Sequence, residues 1–365
     1  MKICTIIGAR PQFVKAAAVS RIMASTPDIK EVIIHTGQHY DYNLSGLFFD
    51  ELSIPKPSYN LNIGSGLHGQ QTGKMLEAIE EILMQEKPDW VLLYGDTNST
   101  LAGALAASKL HYPIAHIEAG LRSFNRKMPE EINRILTDQL STLLFAPTKN
   151  GYDQLIKEGF SPESVCLSGD VMLDATLYYN ENNTHENSTL ENLSLKSKEY
   201  ILSTIHRAEN TDNTERLINI CNALIELSSN STVVLPLHAR TRAALNNANL
   251  LKKLDSHVQL IEPVGYLDML ALEKNAELII TDSGGVQKEA YFNAVHCITL
   301  RDETEWVELV SSGWNQLCSP STPFSLSSIA NIKTNQKNMV YSNLYGEGDA
   351  SLKIINAICT FGQLI

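Results

Sequence analysis

The sequence predicts an α/β protein built from two Rossmann-like, doubly wound domains, and three observations carry that prediction. The chain has 365 residues, more than the roughly 100–200 of one ordinary domain. Short apolar runs rich in β-branched residues recur along it, each closing at Gly, Asp or His and each followed by a helical pattern. The runs fall into two series, separated by a polar stretch without a sustained apolar period. Strands buried on both faces and alternating with helices make parallel sheets of βαβ units, so two series make two domains.

Taken in order, the first series is residues 2–7, 31–36, 90–94, 114–117, 143–146 and 165–167. The opening run has no polar face to turn to water, and Gly8-Ala9-Arg10-Pro11 ends it, with Pro11 suited to a first helical turn. Residues 179–198, crowded with Asn, Glu, Ser and Thr, read as the connecting or peripheral stretch. The second series is 200–205, 232–237, 258–261, 278–281 and 297–300. After the turn Tyr345-Gly346-Glu347-Gly348, residues 349–361 repeat apolar side chains at helical spacing and predict a terminal helix. The expected domains are 1–175 and 176–345.

The totals narrow the function. With 43% hydrophobic and 19% charged residues the chain reads as globular, and no apolar run approaches the roughly 20 residues needed to cross a bilayer, so a cytoplasmic protein is expected. A formal charge of −12 argues against nucleic acid or an anionic membrane as partner. The six cysteines show no Cys-x-x-Cys spacing and read as buried reduced thiols, with no metal site.

Ligands of open parallel sheets gather at the carboxyl ends of the strands, where helix N-termini present free N–H groups. Arg10 and Lys15 follow the first strand and fit either an anion contact or a routine βα turn. Asp282-Ser283-Gly284-Gly285-Val286 points to phosphate more strongly. A strand runs into a small turn that opens a helix, with the Ser283 hydroxyl as an extra donor and Glu289 within reach of a ribose diol. His206-Arg207 and His238-Ala239-Arg240 follow successive strands and suit a shared polyanionic ligand. The first half supplies acids: Asp96 and Glu118 end adjacent strands, and Glu130 and Arg134, four apart on a helix, can pair. Acids near a bound phosphate suggest proton transfer. Gly64-Ser65-Gly66-Leu67-His68-Gly69 matches a dinucleotide fingerprint but does not follow the first strand. It reads as a flexible loop bearing Gln70, and no cofactor is expected.

In this order, the motifs Gly8-Ala9-Arg10-Pro11 with Lys15, Gly37-Gln38-His39, Gly95-Asp96-Thr97, Glu118-Ala119-Gly120-Leu121-Arg122, Pro129-Glu130-Glu131-Ile132-Asn133-Arg134, Thr204-Ile205-His206-Arg207, residues 282–289 and Arg301-Asp302-Glu303-Thr304-Glu305 resemble the non-hydrolysing UDP-N-acetylglucosamine 2-epimerase family. The resemblance runs from about residue 2 to the terminal helix. It is strongest to the branch acting on UDP-2,3-diacetamido-2,3-dideoxyglucuronate, through Gly8-Ala9-Arg10-Pro11-Gln12-Phe13 and Thr304-Glu305-Trp306-Val307-Glu308-Leu309. The wider family has Arg-Pro where this chain has Trp306-Val307.

The resemblance implies a GT-B-like pair of domains with the active site in the interdomain cleft and the terminal helix crossing back to the first domain. It implies diphosphate contacts at Arg10, His206, Ser283, Gly284 and Gly285, with Lys15, Gln70, Arg207 and Arg301 also on the substrate side. A ribose contact at Glu289 and catalytic acids at Asp96, Glu118 and Glu130, beside Arg134 and His206, complete that set. A possible second-ligand site takes in Gln38, His39 and His238, without the Arg that accompanies them in some bacterial members. A homodimer serving surface-polysaccharide (O-antigen) precursor synthesis follows by analogy.

The chemistry suits these residues. The C2 proton of an acetamido sugar has no adjacent carbonyl, so a base alone cannot remove it as an enolate. Expelling UDP from C1, taking the C2 proton, and adding UDP back across a 2-acetamidoglucal inverts C2 without NAD. That route needs a held diphosphate and acid and base on opposite faces of C2. A GT-B glycosyltransferase, a hydrolysing epimerase and a non-catalytic UDP-sugar sensor would use the same UDP site; they separate by acceptor dependence, UDP release and binding without turnover.

Overall fold

Every residue from Ile3 to Ile7 is buried, so the strand they form, β1 (Lys2–Ile7), is covered on both faces. The computed structural model describes residues 1–38, 49, 51–184, 186–325 and 342–361. They divide into two units, one of Met1–Tyr178 with the tail from Asn343, the other of Tyr179–Ser342.

In the first unit β1 is followed by α1 (Arg10–Ser25), β2 (Lys30–His35), β3 (Tyr59–Asn60), α2 (His68–Glu86), β4 (Trp90–Tyr94), α3 (Asn98–Lys109), β5 (Ile114–Ile117), α4 (Pro129–Leu140), β6 (Leu143–Ala146), α5 (Lys149–Lys157) and β7 (Val165–Leu167). The strands pair in parallel in the order β3-β2-β1-β4-β5-β6-β7. The order reverses between β1 and β4, where Ile6 lies beside Leu93, and a crevice opens at such a point in doubly wound sheets. One face is filled by Met75, Ile79 and Leu83 of α2 and by alanines of α3 against β1, β2 and β4. Gly8 ends β1 under tight constraint, because a Cβ there would overlap the hydroxyls of Thr36 and Ser99.

The terminal helix, residues Ala350–Phe361, belongs to this unit and packs on α1. Its first N–H groups, at Ala350 and Ser351, donate to the Asp174 carboxylate over 3.1 and 2.7 Å, and Phe361 meets Trp90 edge-on. Burial pushes the Asp174 carboxyl up despite those bonds.

In the second unit the strands are β8 (Tyr200–Thr204), β9 (Thr232–Pro236), β10 (Gln259–Ile261), β11 (Leu278–Thr281), β12 (Cys297–Thr299) and β13 (Asn315–Leu317), in the parallel order β10-β9-β8-β11-β12-β13. Its switch point lies between β8 and β11. The stretch expected as a connector is instead largely helical, formed by the end of helix Val171–Asn182 and by helix Glu186–Asn192. Leu190 of the latter is buried in the second core, and Glu186 bonds Lys274 and Asn275 over 2.7 and 2.9 Å. A helix anchored by one leucine and by polar bonds shows no apolar period. Strand β3 is two residues long and β13 opens with Asn315 and Gln316, so neither makes an apolar run.

All six cysteines are free; Cys4, Cys221 and Cys297 are buried, and burial pushes their thiols up to about 12. Cys166, Cys318 and Cys359 are half-buried. Among the described residues no helix is long and apolar enough to cross a membrane.

Candidate active site

Adjacent pairing of β4 with β5, with Tyr94 beside Ile117, brings Asp96 and Glu118 to neighbouring loops at the carboxyl edge of the first sheet. Asp96 follows Gly95, whose φ of +61° is left-handed. Its carboxylate lies 2.6 Å from Arg134 Nη2 and its carbonyl accepts Asn133 Nδ2 over 2.9 Å. Glu118 itself has φ +73°, a conformation that costs on the order of 1 kcal/mol for a residue with a Cβ. The N–H groups of Glu118 and Ala119 both donate to Phe145 O, at 3.1 and 3.0 Å, and hold the bend. Left-handed backbone at a candidate acid fits a site whose side-chain direction is set by its surroundings.

Three expectations change here. Lys15, read as an anion contact, is 6% exposed and its ammonium pairs with the Glu118 carboxylate. Glu130 is exposed, and Arg134 turns from it to Asp96 and, at 3.1 Å, to Glu131. Glu131, at 1% exposure, accepts the N–H groups of Ser123 and Phe124 over 2.8 and 2.9 Å and so fixes the loop after Glu118. Burial pushes its carboxyl up, but those bonds, the Ser123 hydroxyl and Arg134 outweigh burial and hold it below the ordinary range. The N–H groups of Gly8 and Ala9 are occupied by Gln12 Oε1 at 2.8 and 3.0 Å, and the Arg10 side chain beside them is exposed. Gln70 lies exposed in the first turn of α2, not in a loop. Its neighbour Gln71 is buried between Gly64 O at 2.6 Å and Asn98 at 2.8 Å, and a Cβ on Gly69 would meet nothing within 4 Å. The dinucleotide fingerprint therefore lacks its steric reason.

Of the possible second-ligand residues, Gln38 accepts from Ser99 N and Oγ over 3.1 and 2.7 Å. His238 caps a helix, its ring accepting Arg240 N–H at 3.3 Å, and His39 lies outside the described residues.

In the second unit, Ser283 precedes helix Gly284–Phe292 and its hydroxyl makes no cap bond, which suits a donor to an anion beside the helix N-terminus. Behind the turn, Asp282 is fully buried. It accepts His206 N–H from both oxygens at 3.1 Å, Arg207 N–H at 3.0 Å and Asn210 Nδ2 at 3.1 Å, and lies 3.2 Å from His206 Nδ1. Because β8 pairs with β11, Thr204 beside Thr281, His206, Arg207 and the Ser-Gly-Gly turn converge. A Cβ on Gly284 would stand 2.7 Å from Glu305 Oε1, and Trp306 Nε1 donates to Gly284 O over 3.0 Å. Glu289 is 5% exposed. Arg301, expected on the substrate side, is buried with its guanidinium 2.9 Å from Glu305.

The model of the UDP-N-acetylglucosamine 2-epimerase family matches residues 21–359. The chain belongs to that family. The UDP-N-acetylglucosamine 2-epimerase homolog of Methanococcus maripaludis is 54% identical over 361 residues, covering 98% of this chain and 99% of the relative. The UDP-2,3-diacetamido-2,3-dideoxy-D-glucuronate 2-epimerase of Pseudomonas aeruginosa is 52% identical over 97% and 98%. The crystal structure of Methanocaldococcus jannaschii UDP-GlcNAc 2-epimerase in complex with UDP-GlcNAc and UDP superposes with a TM-score of 0.90 at 46% identity, over 99% of this chain and 100% of that one. The fold is thus of the GT-B-like kind, and the protein is an epimerase, an isomerase acting on carbohydrate.

Sequence reasoning missed several residues of this epimerase. Gln12 also donates to Tyr94 O at 2.9 Å and to Thr100 Oγ1 at 3.0 Å, tying the β1 turn to the start of α3. Asn133, Glu131 and the buried His116 and Asp138 hold the loops around the acids. Glu131 and Asn133 carried a signal, lying inside a motif already singled out, whereas a histidine within a buried strand ordinarily reads as core.

Proposed function

We propose that this epimerase inverts C2 of a UDP-activated 2-acetamido sugar by anti elimination of UDP to a 2-acetamidoglucal, followed by re-addition after reprotonation from the other face. The observation that carries this reading is the pair of acids at adjacent strand ends, Asp96 with Arg134 and Glu118 with Lys15. Two carboxyl groups at neighbouring loops supply a base for the C2 proton and an acid for its return. Arg10, His206 and the Ser283-Gly284-Gly285 helix start suit a diphosphate that must leave and be retained. Glu289 suits the ribose, and Glu130, exposed on α4, is the third acid of the set.

The sugar is UDP-GlcNAc or its 2,3-diacetamido glucuronate counterpart, the two for which the relatives are named. The reading takes the enzyme as a cytoplasmic homodimer in the supply of surface-polysaccharide precursors. Proton NMR with the two UDP-sugars side by side tests it. Conversion of either to its manno epimer, with UDP still attached, is the expected result; release of free sugar and UDP, or no turnover of both, would overturn it.

A further inference from the structure

We propose that His116 and Asp138, a fully buried pair, are the positioning residues that fix Asp96 and Glu118 relative to each other. The proposal rests on the reading of those two acids as the proton-transfer groups. His116 stands on β5 and Asp138 on α4, both at 0% exposure. His116 Nε2 is 2.8 Å from Gly95 O; a carbonyl only accepts, so this nitrogen carries a proton. His116 Nδ1 is 2.7 Å from Asp138 Oδ1, where two bare lone pairs would repel, so a second proton lies between them, whichever atom holds it. The other Asp138 oxygen accepts Gly120 N–H at 3.2 Å and lies 2.7 Å from Arg122 Nη2, which continues to Glu158 at 2.6 Å.

This chain of bonds starts at the residue before Asp96, crosses the strand that leads into Glu118, and ends two residues beyond Glu118 and on the helix that supplies Asn133 and Arg134. Gly95, Glu118 and Gly120 are all left-handed, with φ of +61°, +73° and +81°; the glycines adopt this freely, whereas Glu118 is held there against its intrinsic preference. Burying a hydrogen-bonded polar or ionic pair adds little net stability compared with apolar filling of the same volume. What this pair supplies is a fixed geometry, at a distance where a shift of about 1 Å in a reacting group costs about 100-fold in rate.

Four variants test this: His116→Leu, Asp138→Leu, the double variant, and Asp138→Asn as the shape-conserving change. The readouts are melting temperature, UDP affinity by calorimetry, kcat and KM, and the rate of solvent deuterium entry at C2. The single leucine variants lower Tm by stranding one partner. The double variant removes the mismatch within the pair but also takes Asp138 from Gly120 N–H and Arg122, so it is expected to regain Tm only in part and to bind UDP as the wild type does, while kcat stays down about 100-fold. Asp138→Asn should lower kcat at least tenfold with KM unchanged. Recovery of kcat together with Tm in the double variant, or an unchanged kcat in Asp138→Asn, overturns the proposal. Absence of C2 exchange in the wild type would instead sink the reading of the acids, and the two failures are separately visible.

Discussion

At the scale of single residues, cations and acids are matched in ways that set their roles. Arg134 touches Asp96 at 2.6 Å and Glu131 at 3.1 Å, so Arg134→Met removes the charge from one acid and the brace from the loop after Glu118. It should lower kcat by about 100-fold or more while leaving UDP affinity near the wild-type value, as measured by steady-state kinetics and calorimetry. Lys15 was legible as a functional cation from its place after the first strand, but not its partner. Only the fold shows that it lies under the Gly95 bend, where a Cβ would stand 3.3 Å from its ammonium and 3.2 Å from Glu118. Gly8→Ala tests the packing of the first turn. The added methyl meets Thr36 and Ser99, whose hydroxyls already bond each other at 2.8 Å and whose neighbour Gln38 holds Ser99. A stability loss of about 1–3 kcal/mol in urea unfolding is expected.

At the scale of elements, helix Pro129–Leu140 organises the first-unit site. Asn133 holds the Asp96 carbonyl, Arg134 its carboxylate, Glu131 the Ser123-Phe124 loop and Asp138 the His116 ring. Its sequence gave away the helix, with Pro129 in the first turn and acids after it, but its burial runs opposite to ordinary expectation. Ile132 and Leu136 are exposed while Glu131, Arg134 and Asp138 are buried. An apolar-periodicity reading therefore finds most of the strands and misreads the buried face of this helix, because its inner face is a polar scaffold. The same blindness hid helix Glu186–Asn192, and polar composition hid β3 and β13. Glu131→Gln keeps an acceptor but loses the charge that pairs with Arg134. It should loosen residues 123–124 and raise their amide hydrogen exchange without unfolding the sheet, a change visible by mass spectrometry.

At the scale of the whole molecule, stability responds to pH through a buried carboxyl of the first sheet. Burial pushes the Glu31 carboxyl up to about 7, against the hydroxyls of Thr5 and Ser20. Its folded value lies above the ordinary 4.5, so folding takes up a proton between the two. Its stabilising contribution is present below the ordinary value and is lost as pH rises through about 7. Glu31→Gln, whose amide oxygen can still accept both hydroxyls, should raise Tm at pH 8 and change it little at pH 5. The fold as two parallel sheets was readable from the strand runs. The C2 chemistry was not readable from any one segment, because the acids and the phosphate turn lie on different strands far apart in sequence. The most direct test of the central claim is turnover in D2O with the C2 position of recovered substrate and product read by NMR. Deuterium at C2 in both, with UDP still bonded to the sugar, is the predicted result; epimer formed with its original C2 proton retained would contradict it.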